Sequence, residues 1–289
     1  MRQFYCKHLY MNIFYNTRKA INTLCITVML IATACGNNKT ESAPESGFSL
    51  EMDTIAYRDS LTELASSKII VTTNSVLPSL HEGNTSSGNL VKLISKTIFN
   101  TENDDSIASL HSILKNFTDN ILNSYRMPEG YKTDSTYKNN KTFKYEIIND
   151  IKPVYSNNRI LCFCRISEMK KDGTQTMLSR HYYSFDTKES SRISITDIFK
   201  EEDINIVNKL LKDKLMQQEN VESQSQLIDL GYFNIENLEV NNNLYFTDKG
   251  IVFNYEPFEI ACFAVGDVSI ELDYDTVRPY FNSDFTNKL

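Results

Sequence analysis

From residue 142 onward the hydrophobic positions alternate with polar ones. In "TFKYEIINDIKPVYSNN" (142–158) Phe143, Tyr145 and Ile147 share a face, and "NRILCFCRISEMK" (158–170) and "TMLSRHYYSFDT" (176–187) alternate again. A period of two marks half-buried strands, and the Asp-Gly turn in "KKDGTQ" (170–175) suits a hairpin, so the three runs predict an antiparallel meander. "NLYFTDKGIVFNYEP" (243–257) predicts a further hairpin. "DVSIELDYDTV" (267–277) predicts a last strand, with Val268, Ile270, Leu272 and Tyr274 on its apolar face. Three segments repeat at helical spacing instead: 89–99, 105–125 and 201–218. Asp104, Asp105 and Ser106 precede the second as caps, and Glu201, Glu202 and Asp203 are correctly signed for the start of the third. "SKIIVTT" (67–73) predicts one early strand. The pattern is α+β: an antiparallel sheet packed with about three helices, not a βαβ repeat.

The first 35 residues differ from the rest. They hold four cations (Arg2, Lys7, Arg18, Lys19) and no acid, then an apolar run from Ala20 to Ala34 ending at Cys35. That run is too short to span a bilayer and has the form of a secretory signal. "IATAC" (31–35) resembles the lipobox of bacterial lipoproteins, with Ala32 where Leu is commonest. The resemblance implies cleavage before Cys35, a diacylglycerol thioether, an N-acyl chain such as palmitate, and an outer-membrane location facing periplasm or surface. The expected organisation is a signal over 1–34, a tether over 35–64, a helix-rich part over 65–140 and a sheet part over 141–289.

Removing residues 1–34 changes the charge picture. The remainder has 26 cations against 37 carboxylates, a net charge of −11. Such a surface disfavours nucleic acid and admits cationic partners. Three cysteines remain beyond Cys35. Cys162 and Cys164 share a strand face, which is poor geometry for pairing with each other. Cys262 can pair with either if the strands are neighbours; the other reading is buried free thiols.

Catalytic chemistry is thin. Among His81, His111 and His181 there is no HExxH, and Cys162, Cys164 and His181 lack the spacing of a zinc pair. No GxSxG, P-loop or GxGxxG occurs, and no cofactor is implied. Glu256 and Glu259 are the carboxylates that an acid/base hydrolase would use, yet no constellation supports them. One tripeptide does exceed chance: Asp-Ser/Thr-(apolar or Thr), with acceptor hydroxyls Thr54, Ser60, Ser106, Ser135 and Thr276. Composition alone gives roughly one such tripeptide. The pattern resembles the O-glycosylation signal of exported Bacteroidetes proteins; as plain chemistry, Asp-Ser and Asp-Thr also make good turns and caps.

The stretch "NYEPFEIACFAVGDVSIEL" (254–272) carries a second resemblance. Phe253, Tyr255, Pro257, Phe258, Glu259, Ile260, Ala261, Cys262, Phe263, Ala264 and Gly266 are similar to a motif in the domain of unknown function of the lysozyme-sensing anti-sigma factor RsiV. A related region precedes the catalytic domain of the peptidoglycan deacetylase PdaC. Cys262 stands where that motif has Pro. "SITDIF" (194–199) and "SIELDYDTVRPYF" (269–281) extend the resemblance. It implies a binding or sensing module, its ligand a lysozyme-like cationic protein or cell-wall glycan. It implies no cofactor or metal. The alternatives are a peptidoglycan hydrolase or a purely structural envelope component. Tyr255, Pro257, Glu259, Ile260, Ala261 and Gly266 are expected to build a corner between two strands, not to do chemistry.

Overall fold

A computed structural model describes residues 51–63, 67–79, 85–100, 109–126, 143–172, 174 and 176–289. The signal segment, Cys35, His81, Ser106, Ser135 and the caps expected at Asp104, Asp105 and Ser106 lie outside the described residues. All described residues belong to one compact unit, Phe48–Leu289.

Six strands form the large sheet in the order β1 (Met52–Glu63), β2 (Ser67–Pro78), β3 (Lys144–Ser156), β4 (Ile160–Lys171), β5 (Met177–Asp186) and β6 (Ser191–Arg192). All neighbours are antiparallel except β2 and β3, which are parallel. A parallel pair needs a long crossover, and α1 (Thr85–Phe99) and α2 (Leu110–Ser124) lie in it. Ser109 caps α2 by accepting the Ser112 N–H at 3.2 Å. The meander β3–β5 runs as the alternation predicts. Pro153 is tolerated in β3 because pairing with β2 ends at Ile151, and a bulge against β4 follows between Pro153 and Tyr155.

Two expectations are corrected here. The tether expected over 35–64 cannot extend through 52–63, which form β1, paired without a break to β2. Its alternation is faint because Thr54, Arg58 and Ser60 occupy the face away from the helices, next to Asp53 and Asp59 on the other. The division at 140/141 likewise does not separate two bodies, since β2 and β3 are hydrogen-bonded neighbours across it.

Each face of the large sheet carries its own core. On one, α1 and α2 bury Leu90, Ile94, Ile98 and Leu114 against Leu161, Phe163, Tyr183 and Phe185. On the other, Ile160 and Cys162 join the core of a second, three-stranded antiparallel sheet: β7 (Leu244–Phe246), β8 (Gly250–Tyr255) and β9 (Val268–Asp273). Against this sheet pack α3 (Ile195–Ile198), α4 (Ile204–Gln218), α5 (Gln224–Asp229), α6 (Tyr274–Val277) and α7 (Ser283–Thr286). Tyr274 is therefore not on the face of β9 as its spacing suggested; the chain turns helical there, and its hydroxyl donates to the Thr247 carbonyl at 3.0 Å. Val268, Ile270 and Leu272 do face the core.

The two sheets are joined by asparagine side chains. The inner stretch of β5 has no strand on its outer side, because β6 reaches only Phe185 and Asp186. Asn243 fills the place: its Oδ1 accepts the Tyr182 N–H at 2.7 Å and its Nδ2 donates to the Arg180 carbonyl at 3.1 Å. Asn254, fully buried in β8, donates to the same carbonyl at 2.9 Å and accepts from Ser269 Oγ. Asn241 donates to the Asn254 carbonyl and accepts the Asn243 N–H, and Asn242 accepts the Ile195 N–H. Asn241 and Asn243 thus satisfy backbone groups that the abutting sheets would otherwise strand in a dry interior, while Asn242 caps an exposed N–H at the start of α3.

The end of the chain is latched to the same body. Asp186 is fully buried and pairs with Arg159 at 2.9 Å and with Lys288 at 2.8 Å. Burial alone would raise its carboxyl; the bonds from Lys288, the Glu189 N–H and Arg159 outweigh that and hold it below the ordinary value of 3.8. A lowered folded value means a stabilisation present above that ordinary value and lost as pH falls through the folded one. Acid titration of unfolding should show this loss below pH 3.8, and Asp186→Asn should abolish it. The same variant should be about 2 kcal/mol less stable at neutral pH, since the part-buried Lys288 loses its carboxylate and Arg159 keeps only Glu189. Asn254→Ala should lower stability by about 1 kcal/mol in denaturant titration, because the Ser269 hydroxyl loses its acceptor while the Arg180 carbonyl keeps the Asn243 amide.

Candidate functional site

At the end of β8 the chain turns a corner. Tyr255 is buried, and its hydroxyl donates to the Glu239 carbonyl at 2.6 Å. Pro257 opens a tight turn. Glu259 Oε2 accepts the Glu256 N–H at 2.9 Å, and the Glu259 N–H returns to the Glu256 carbonyl. The Phe258 N–H closes onto the Ala261 carbonyl at 3.1 Å. Ile260 and Ala261 are buried, and Ala261 bridges to Tyr232. Phe233 donates to the Ile260 carbonyl and Cys262 to that of Gly231, so the turn is stitched to the segment after α5. Gly266, at φ +85°, then admits the chain into β9.

Phe258 is the unusual residue of this corner. Its φ is +72°, in the left-handed region that bulky side chains avoid. It is also 58 % exposed and stacked on Phe263 at 5.7 Å between ring centroids. Ile228 (59 % exposed), Leu230 and Phe233 stand exposed in the segment bonded to the turn. Apolar side chains gathered at one corner are a recognised mark of an interaction surface.

Along the sequence this region is acidic, and in space Lys214 pairs with Asp273 and Arg180 with Asp267. Residues 215–277 contain twelve carboxylates and a single cation, Lys249, for a net −11. That equals the net charge of everything after residue 34, so the rest of that stretch is balanced. Glu222, Asp229, Glu236, Glu239 and Glu259 are exposed in the same stretch of sequence.

The two carboxylates considered for acid/base work are separately engaged. Glu259 holds the turn. Glu256 lies 3.4 Å from His181 Nδ1 in β5, and that contact holds its carboxyl below the usual range although burial opposes it. A general acid needs the opposite displacement. His181 packs on Tyr183, whose ring also lies beneath Arg165 and Arg192. The thiols of Cys162 and Cys164 point to the opposite face of the sheet from His181, so those three do not assemble into a ligand set. Among the described residues, no group of three metal-binding side chains comes together. Cys162, Cys164 and Cys262 are free thiols, and burial pushes Cys162 up to about 12. Between α4 and β9 an open groove of about 340 Å³ is lined by residues including Asp213, Lys214, Asp273 and Thr276. Thr54, Ser60 and Thr276 are exposed, the first two on β1.

Glu259→Ala should lower stability by about 1 kcal/mol, one charge-assisted bond to the backbone, while leaving the exposed rings in place. Thermal melting set beside a binding assay separates the two effects; unchanged melting with lost binding would make Glu259 a contact residue.

The model of a family described as "Protein of unknown function (DUF3298)" matches residues 196–275, which span α3 through α6 and so include the corner. In structure the chain is similar to a DUF3298 family member from Bacteroides fragilis NCTC 9343, with a TM-score of 0.72 and 19 % identity over 84 % of this chain and 97 % of that one. It is also similar to a DUF3298 family protein from Pseudomonas aeruginosa PAO1, at a TM-score of 0.54 and 11 % identity over 82 % and 97 %. At such identities the likeness speaks for the fold alone. No curated protein matches the chain. The chain thus carries a segment matching a domain family of unknown function, on a fold that it shares with two solved proteins of that family.

Proposed function

We infer that this protein is a lipid-anchored envelope component that binds a cationic protein through the corner at Phe258. The observation that carries the reading is the exposed aromatic and aliphatic patch of Phe258, Phe233, Leu230 and Ile228, set in a segment of net −11. Aromatic anchors ringed by one sign of charge favour a partner of the opposite sign: the rings supply desolvated contact area, and the carboxylates speed encounter. The same charge opposes self-association through this patch. Cys35 is the acylated residue in this reading, and the protein sits at the outer membrane, facing periplasm or surface. Among the described residues no helix is long and apolar enough to cross a membrane. The acceptor hydroxyls Thr54, Ser60 and Thr276 are accessible to a glycosyltransferase, and an intact mass without added hexose would remove that part of the reading.

The test uses purified lysozyme as the cationic probe, with peptidoglycan sacculi in parallel. Lysozyme should bind, and the affinity should fall as salt rises. Phe258→Ser should weaken binding at least about tenfold, the loss of one aromatic anchor, without lowering the melting temperature. Retention on sacculi alone would assign the patch to glycan. Binding of neither probe, or binding indifferent to Phe258→Ser, would overturn the reading.

A further inference from the structure

The large sheet treats its two edges differently. At β5 the exposed backbone is occupied by the amides of Asn243 and Asn254. At β1 no described residue pairs with the outer side over the twelve residues of the strand. Natural sheets blunt such an edge with a proline, a bulge, a very short strand or charged side chains. β1 has only the charges, Asp53 and Asp59 on the helix side and Arg58 on the other, and its register with β2 runs unbroken from Met52↔Pro78 to Glu63↔Ser67.

The direction of its free groups follows from the hydrogen bonds. The Ser79 N–H donates to the Glu51 carbonyl, so odd-numbered positions turn toward β2. The Ser60 N–H goes instead to its neighbour Asp59 Oδ1 at 2.7 Å. Thr54, Ala56, Arg58, Ser60 and Thr62 therefore present their N–H and C=O groups outward.

We propose that β1 pairs antiparallel with β1 of a second copy about a two-fold axis at Arg58, joining the two large sheets into one. A two-fold normal to the sheet keeps each face on its own side, so facing residues must have the same parity. With the axis at Arg58, Ile55 faces the partner subunit's Leu61 and Tyr57 faces the partner subunit's Asp59, twice over, on the helix side. Ile55 and Tyr57 border the core under α1 and α2, and Leu61 belongs to the core that continues it. The apolar layer thus becomes continuous across the axis. Asp59 gives up the Ser60 N–H to the new ladder and gains a tyrosine hydroxyl. Neighbouring registers fail on charge: an axis at Ala56 sets Asp53 against the partner subunit's Asp59, one at Tyr57 sets Ile55 against the partner subunit's Asp59, and one at Asp59 sets two Asp59 carboxylates together. At Arg58 the like pair is two long, flexible side chains on the other face, which Glu146 shares. The acidic corner at Phe258 takes no part, so this interface does not depend on the function proposed above.

The test is made on the purified full chain in detergent. Light scattering should give a dimer mass, and Ala56→Pro should give a folded monomer whose melting temperature no longer depends on protein concentration, because the N–H it removes points outward. Under mild oxidation Arg58→Cys should form a disulfide-linked dimer in most of the sample, since that residue meets its own copy at the axis. Thr54→Cys should stay uncrosslinked. A monomeric wild type at the highest attainable concentration, a dimer that survives Ala56→Pro, or equal crosslinking from positions 54 and 58 would each overturn the proposal.

Discussion

Two sheets cannot abut in a dry interior unless the backbone between them finds partners, and in this protein three amide side chains supply them. Asn243 and Asn254 converge on the Arg180 carbonyl, and Asn241 bonds to the backbone of both. A carbonyl has two lone pairs, and here both are used, one by an amide from β8 and one by the residue just before β7. This contact sets where the three-stranded sheet stands against β5, and hence where β8 ends. Because β8 ends there, Glu256 reaches His181 and the turn behind it opens outward. Hydrophobic burial supplies the bulk of the stability on both sides of β5, but it is nondirectional; the amides fix position.

Much of this fold was legible from period alone. The meander β3–β5 and the helix α4 announce themselves because one face of each is buried and the other wet, which is what alternation measures. The joint between the sheets was not legible. Asn241, Asn242 and Asn243 read as a polar loop, since an amide that serves as a backbone substitute has the composition of a turn. β1 was hidden for a related reason: an edge strand with one open side and polar residues on one face resembles a tether. The parallel pairing of β2 with β3 has no local signature, as it joins residues 76 apart in sequence, Lys68 with Lys144 through Ser75 with Ile151.

The corner shows the same division. Pro257, Glu259, Ile260, Ala261 and Gly266 could be read as a fold-defining turn, because each has a local backbone reason to be there. What could not be read was which ring would face outward. In "PFEIACF" two phenylalanines look equivalent, and only the left-handed backbone at Phe258 separates the exposed ring from the half-buried one. Charge offered a signal that had been averaged away: the net −11 belongs almost wholly to one segment, and a running sum along the chain would have located it.

Phe258 also sets two demands on this protein against each other. Glycine is the residue most at ease at φ +72°, so relaxing the turn and keeping the ring are mutually exclusive at that position. Any selection for thermal robustness alone would drift toward erasing the side chain on display. A laboratory stabilisation campaign scored only by melting temperature would then deliver a sturdier scaffold with a blank corner.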